Sequence, residues 1–126
     1  MNIPKNLLYT KSHEWVGYLD ETTAAVGITD FAQYGLGDIV FVNLPKPGDK
    51  VVKETVFADV ESVKAVSDIF SPLSGEILAI NEEVLDAPQN LNSDPYGTWL
   101  VKISNITDKA GLIDAPAYEK ICEEEN

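Results

Sequence analysis

The chain of 126 residues has 21 aspartates and glutamates against nine lysines and no arginine, which gives a formal charge of −12. Its length suffices for the core of one domain, and its negative field repels phosphate, which excludes DNA or RNA as a partner class. Cys122 is the only cysteine, so no intramolecular disulfide can form, as is typical of a reducing compartment. We find neither a signal-peptide pattern nor the roughly 20 apolar residues of a membrane span, so we expect a cytoplasmic monomer that does not contact membranes.

Alternating apolar and polar residues predict a chain built mainly of β-strands. The first two predicted strands, 15–19 and 23–28, flank three polar residues and form a hairpin. Further strands are predicted over residues 38–44, 55–63, 65–70, 76–80 and 98–104. In the last of these, we expect Trp99, Val101 and Ile103 to share one buried face.

Two helices are predicted, and both are short. Thr29 is a suitable N-cap for a helix over residues 30–34. Near the C-terminus, Asp114 can cap a helix that we expect over about 115–123. We expect Glu123–Glu125 to fray, because the dipole at the end of a helix disfavours anions.

The sequence contains one short internal repeat. The segment Gly37–Asn43 aligns residue for residue with Gly75–Asn81, 38 positions further on. Each unit starts at a glycine, continues as an apolar strand and ends at asparagine. The repeat predicts two similar half-sheets that face each other about an approximate twofold axis.

Lys64 stands between two predicted strands, in a segment without strong turn-forming residues. A free lysine amine is protonated at neutral pH and is a poor nucleophile, and the carboxylates of Glu61 and Asp68 favour that charged form. A Schiff-base role is therefore disfavoured. A long side chain on an exposed hairpin suits modification by another protein's active site, while the simpler alternative is a solvated lysine.

Other site chemistry finds little support in the chain. One histidine and one cysteine cannot supply a tetrahedral metal site, so we expect no metal. His13 is the only candidate general base, and a hydrogen-bonded structural histidine is the favoured interpretation. We therefore expect a protein without catalytic residues.

The segment Glu61-Ser-Val-Lys-Ala65, followed by Ser71-Pro-Leu-Ser-Gly-Glu76, resembles the attachment site of lipoyl-carrying domains. Biotin carriers typically have methionines beside the lysine, where this chain has valine and alanine. Further motifs narrow the resemblance to the glycine cleavage system H proteins, over about residues 8–118. These motifs are Tyr9-Thr-Lys-Ser-His-Glu-Trp15, Val26-Gly-Ile-Thr-Asp30, Leu36-Gly-Asp-Ile-Val-Phe-Val42, Leu44-Pro45, Pro47-Gly-Asp49 and Asp94-Pro-Tyr-Gly97. The loop before Thr98 looks one residue shorter than is common in that family.

The resemblance implies a mainly β fold, a flattened barrel or sandwich of two antiparallel sheets with short peripheral helices and a C-terminal helix. One domain would span residues 1–126, with a hairpin around residues 57–78 that presents Lys64. Lipoate would be joined to this lysine by an amide and would reach roughly 14 Å from the backbone. The residues expected to shape the hairpin are Glu61, Ser62, Val63, Ala65 and Gly75.

The resemblance also implies a function, that of a non-catalytic carrier. Such a protein takes an aminomethyl group from glycine decarboxylase to aminomethyltransferase and is reoxidised by dihydrolipoyl dehydrogenase. A lipoate ligase or octanoyltransferase would modify it. By position in the matching motifs, Ser12, Glu14 and Asp68 would contact the cationic aminomethyl end of the arm. Plain surface solvation remains open for all three.

Three alternative functions differ from this one in what they require of the chain. A carrier domain of 2-oxoacid dehydrogenases would normally sit in a longer chain with Ala/Pro-rich linkers, which this sequence lacks. A relay protein that donates octanoyl or lipoyl groups to those complexes stays open. A small acyltransferase that uses His13 would require turnover by the purified protein alone.

Overall fold

The computed structural model describes residues 1–125, which form nine strands and four helices. The strands are β1 (Leu8–Tyr9), β2 (Glu14–Tyr18), β3 (Ala24–Ile28), β4 (Ile39–Asn43), β5 (Lys50–Val51), β6 (Val56–Ser62), β7 (Val66–Phe70), β8 (Ser74–Ile80) and β9 (Val101–Asp108). The helices are α1 (Asp30–Leu36), α2 (Glu82–Asp86), α3 (Asn90–Ser93) and α4 (Ala115–Glu125).

The strands form two sheets in which every pairing is antiparallel. The larger sheet has six strands in the order β1-β2-β3-β9-β8-β5, and the smaller has three in the order β4-β6-β7. Within the described residues the sheets do not close into a barrel. The expected mainly β sandwich with peripheral helices and a C-terminal helix is confirmed.

The core lies between the sheets and follows from the two-residue period of the strands. Val60 and Ile69 of the smaller sheet and Val26, Ile77 and Ile103 of the larger one are all at most 4% exposed. They belong to one continuous apolar cluster. Burial of one face on each sheet stabilises the pair of sheets through the hydrophobic effect.

The predicted strands match observed strands, but four short elements were missed. Strands β1 and β5 have two residues each and helices α2 and α3 have five and four, too few for a period to show in a sequence. The prediction that Trp99 belongs to the last strand is wrong, because β9 begins at Val101. The ring of Trp99 instead lies against Lys102, with its centroid 4.7 Å from Nζ.

The two units of the internal repeat fall in different sheets, as expected. Gly37–Asn43 ends in β4 of the smaller sheet, and Gly75–Asn81 contains most of β8 in the larger sheet. The expectation of similar half-sheets is wrong in one respect, because the sheets have three and six strands.

Helix α4 is held by a second apolar cluster outside the main core. The ring of Tyr118 stacks on that of Tyr9, with centroids 4.6 Å apart, and Cys122 is buried in the same cluster. The helix continues to Glu125, two residues beyond the expected end. Glu125 contacts His13 there, and the fraying of Glu123–Glu125 stays a prediction.

The loop before Thr98 is closed by hydrogen bonds of its own side chains. The backbone N–H of Gly97 donates to Asp94 Oδ1 at 3.1 Å, and Thr98 Oγ1 donates to the Asn90 carbonyl at 3.2 Å. The indole N–H of Trp15 donates to the Pro95 carbonyl at 3.1 Å. The loop is thereby tied to both α3 and β2.

Gly75 does not shape the hairpin, which corrects the expectation from sequence. The hairpin consists of β6 and β7 and ends at Phe70, whereas Gly75 lies in β8 of the other sheet. Its register with β9 is irregular, with Ser74 opposite Asp108 and Glu76 opposite Ser104. A methyl group at Gly75 would lie 2.5 Å from the Ser104 carbonyl oxygen, so the glycine is needed for close strand packing.

We therefore predict that Gly75→Ala lowers the free energy of unfolding by about 1–3 kcal/mol, as overpacking typically does. Urea denaturation measures this change. The matched control is Gly35→Ala, because a methyl group there would meet no described heavy atom within 4 Å and alanine raises helix propensity by about 0.5–1 kcal/mol. Equal stability of Gly75→Ala and the unmodified chain would contradict the prediction.

Candidate functional site

Lys64 lies at the exposed tip of the β6–β7 hairpin, in a loop of three residues. Ser62 organises this loop. Its backbone N–H donates to the Ala65 carbonyl at 2.8 Å, and its Oγ accepts from the N–H groups of Ala65 at 3.0 Å and Lys64 at 3.3 Å. A serine side chain therefore replaces the glycine, proline or asparagine that such a turn usually has.

The tip is also tied to neighbouring elements. The Val63 N–H donates to the Asp38 carbonyl at 3.0 Å, just before β4. Gly37 ends α1 with a φ of +81°, and a Cβ at this position would lie 3.5 Å from Lys64 Cε. The lysine stem therefore starts across the end of α1.

A groove of about 220 Å³ runs between α1 and β7, and we call it the α1–β7 groove. At a rise of about 3.3 Å per residue in a strand, Ser67 lies about 10 Å and Ile69 about 16 Å from Lys64, measured along the backbone. The apolar lining is Ile28, Phe31, Ala32, Gly35, Leu36 and Ile69, and the polar lining is Ser12, His13, Ser67 and Glu125. The groove is thus mostly apolar, with polar groups from the β1–β2 loop and α4.

A second cavity of about 380 Å³ adjoins it, and we call it the Glu14 cavity. Ser12 lines both cavities, and Glu14 lines this one. The rest of its lining includes Thr10, Lys53, Phe70, Pro72 and Leu112. Ser12 therefore stands at the junction of the two spaces.

Glu14 is a buried carboxylate, only 1% exposed. Its Oε1 accepts hydrogen bonds from Thr10 Oγ1 and Ser12 Oγ, each at 2.6 Å. Burial raises the pKa of Glu14, and the hydrogen bonds from Ser12, Thr10 and the backbone of Phe70 offset part of that rise. Glu14 of the larger sheet and Phe70 of β7, an edge strand of the smaller sheet, both line the Glu14 cavity.

The structure brings Ser12 and Glu14 together, but Asp68 does not join them. Ser67 and Ile69 line the α1–β7 groove, and side chains alternate along a strand. Asp68 is exposed, stands opposite Asp59 in the β6–β7 register and lines neither cavity in the described chain. The free protein therefore does not support the expected cluster of three.

His13 and Glu125 line the groove, although no site role was expected for Glu125. His13 has a φ of +74° and its ring stacks on Phe31, with centroids 4.6 Å apart. Its Nδ1 lies 2.7 Å from the Tyr118 hydroxyl and its Nε2 lies 3.1 Å from Glu125 Oε1. These contacts support the structural interpretation of His13, and the sequence gives no signal for Glu125.

None of the helices in residues 1–125 has the length and apolar character needed to cross a membrane.

A strand sandwich with one lysine on a hairpin tip, beside a mostly apolar groove, defines a carrier domain of the lipoyl type. Residues 7–125 match the family model described as glycine cleavage H-protein. The chain belongs to this glycine cleavage H-protein family.

Individual relatives agree with the family match. The glycine cleavage system H protein of Lachnoclostridium phytofermentans is 53% identical over 99% of this chain and 98% of its own. That of Burkholderia ambifaria is 54% identical over 95% of this chain and 97% of its own. A crystal structure of a glycine cleavage system H protein from Mycobacterium marinum superposes with a TM-score of 0.87. It is 38% identical and covers 94% of this chain and 97% of its own.

The raised pKa of Glu14 predicts a pH dependence of stability. Because the folded pKa lies above the ordinary value of 4.5, the proton on this carboxyl favours folding. That contribution is present in full below the unfolded pKa and is lost as pH rises through the folded one. Relative to Glu14→Gln, the unmodified chain should therefore lose free energy of unfolding as pH rises.

Urea denaturation at a series of pH values measures this difference. Glu21→Gln is the control. Glu21 is exposed, so the free energy of unfolding of this variant should follow the same pH dependence as that of the unmodified chain. A free energy of unfolding that rises with pH in the unmodified chain relative to Glu14→Gln would show that the sign is wrong.

Proposed function

We propose that this chain is the lipoyl-lysine carrier of a glycine cleavage system, with lipoate in amide linkage to Lys64. The observation that carries the proposal is the position of Lys64 on an exposed tip, with its side chain next to Gly37 at the end of α1, the helix that lines one side of the α1–β7 groove. Membership of the H-protein family agrees with this assignment.

The residues present fit a lipoyl arm. An arm of roughly 14 Å from Lys64 matches the distance to Ser67 and Ile69, and the apolar lining of Phe31, Leu36 and Ile69 suits a dithiolane. When bound, lipoate supplies a disulfide that is reduced as the one-carbon amine is accepted and reoxidised after the amine is passed on. The chain itself contributes a single cysteine, which is buried.

The residues around the site bind and orient rather than catalyse. Ser12 Oγ donates its proton to Glu14, which leaves the oxygen lone pairs of Ser12 free to accept a hydrogen bond within the groove. The amine cargo is cationic near neutral pH, so a serine oxygen backed by a carboxylate is a suitable acceptor. Glu14 acts on the cargo through Ser12.

The proposed partners are the other enzymes of the system: glycine decarboxylase, aminomethyltransferase and dihydrolipoyl dehydrogenase. A lipoate ligase or octanoyltransferase would attach the cofactor. The exposed tip suits enclosure by such enzymes, since Val63 and Val66 are 69% and 66% exposed. We propose that the protein acts as a cytoplasmic monomer and does not itself catalyse a reaction.

The comparisons favour this function over a lipoyl relay, since the relatives described above carry glycine cleavage names. The contacts of both His13 ring nitrogens argue against the acyltransferase alternative.

We predict that lipoate is attached to Lys64 and to no other lysine. The chain is incubated with a lipoate ligase, ATP and lipoate, and the products are mapped by peptide mass spectrometry. Lys64→Ala should remain unmodified, whereas the control Lys120→Ala, on α4, should be modified like the unaltered chain. Modification that persists in Lys64→Ala would overturn the assignment.

We further predict that Glu14 and Asp68, the two carboxylates that the family resemblance placed near the amine cargo, affect spontaneous ammonia release differently. Loss of a hydrogen bond to a charged group corresponds to about a ten- to hundredfold change, so Glu14→Gln should accelerate spontaneous ammonia release by about that factor. Asp68→Asn should change it less than about twofold, because an exposed pair contributes little. The protein is lipoylated and loaded with glycine, the decarboxylase is removed, and ammonia is followed with time. Equal rates in both variants would refute the assignment of Glu14 to the cargo end.

A further inference from the structure

The polar end of the α1–β7 groove contains a carboxylate that the family motifs do not include. Glu125 extends from the last turn of α4 and lines the groove together with Ser12 and His13. Its side chain is 48% exposed. By contrast, Glu14 is 1% exposed and is engaged by Thr10 and Ser12.

A chain of hydrogen bonds holds Glu125 in place. Its Oε1 lies 3.1 Å from His13 Nε2, His13 Nδ1 lies 2.7 Å from the Tyr118 hydroxyl, and that hydroxyl lies 2.6 Å from Thr29 Oγ1. Thr29 Oγ1 in turn accepts from the Ala32 N–H as the N-cap of α1. This series of hydrogen bonds connects the C-terminal end of α4 with the start of α1.

The chemistry of these groups sets the direction of each bond. A carboxylate oxygen accepts, so His13 Nε2 donates to Glu125, and in that tautomer Nδ1 accepts from the Tyr118 hydroxyl. The Tyr118 oxygen then accepts from the Thr29 hydroxyl. Burial raises the pKa of Tyr118, so the phenol keeps the proton that this arrangement requires.

We propose that Glu125 is a further binding residue for the amine cargo of the arm, as a carboxylate at the polar end of the α1–β7 groove. A carboxylate offers about four lone-pair sites, so a single bond to His13 leaves capacity for an ammonium. Glu125 itself lines the groove, whereas Glu14 lines only the adjoining Glu14 cavity and is engaged by the hydroxyls of Thr10 and Ser12. This inference rests on the proposed function, because the cargo reaches the groove on Lys64.

The first test compares spontaneous ammonia release from loaded protein without decarboxylase. Glu125→Gln keeps an acceptor for His13 and removes the charge, so release should become about two- to fivefold faster, as expected for a partly exposed ion pair. Glu125→Lys, which reverses the charge, should release faster still. The control Glu124→Gln removes an exposed neighbouring charge and should match the unaltered chain. Equal rates for Glu125→Gln and the control would overturn the inference.

A second test does not depend on lipoylation. His13 is the only histidine, so its C2 proton gives a single, assignable NMR signal. Methylammonium chloride added to the unmodified chain should move this signal more than sodium chloride of the same ionic strength, and Glu125→Gln should abolish the difference. Equal responses to the two salts in the unaltered chain would refute the contact between Glu125 and an ammonium.

The two tests separate this inference from the proposed function. Mass spectrometry of the loaded sample shows whether Lys64 carries lipoate. Absence of lipoate would overturn the proposed function, whereas normal loading with unchanged release from Glu125→Gln would overturn only the role of Glu125.

Discussion

A buried carboxylate fixes the loop on which the site depends. Glu14 belongs to β2 of the larger sheet and lines the Glu14 cavity together with Phe70 of β7 in the smaller sheet. Burying a charged group is unfavourable unless it is hydrogen-bonded, so the hydroxyls of Thr10 and Ser12 must turn inward to serve it. These bonds fix the β1–β2 loop, which lines the α1–β7 groove together with β7, an edge strand of the smaller sheet.

The same loop also holds the C-terminal helix, through His13, the residue before Glu14. His13 adopts a left-handed backbone conformation that is unfavourable for a residue with a side chain. Its contacts with Phe31, Tyr118 and Glu125 compensate, as expected where the surroundings determine such a conformation. One short loop thus links both sheets, α1 and α4, and the α1–β7 groove lies where they meet.

This arrangement separates the groove from the exposed lysine. The groove is lined by residues of α1, α4, β3, β7 and the β1–β2 loop, whereas Lys64 stands on a tip held by backbone and serine hydrogen bonds. The modifying enzyme that we propose would therefore meet a lysine in a defined turn rather than in an extended peptide. The strongly negative chain also favours encounters with partners that carry basic surfaces.

The sequence by itself determined the strands, the exposed lysine and the family. Strand faces follow a two-residue period that neighbouring residues already show, and the motif around Lys64 is contiguous. Only the tertiary structure decided which side chains share the site. Asp68 lies on the opposite face of β7 from Ser67 and Ile69, which line the groove, and Gly75 serves strand packing because β9 approaches it closely. Glu125 reaches His13 across 112 positions of sequence, and no local pattern can predict such a contact, because it arises only when α4 packs against the folded sheet.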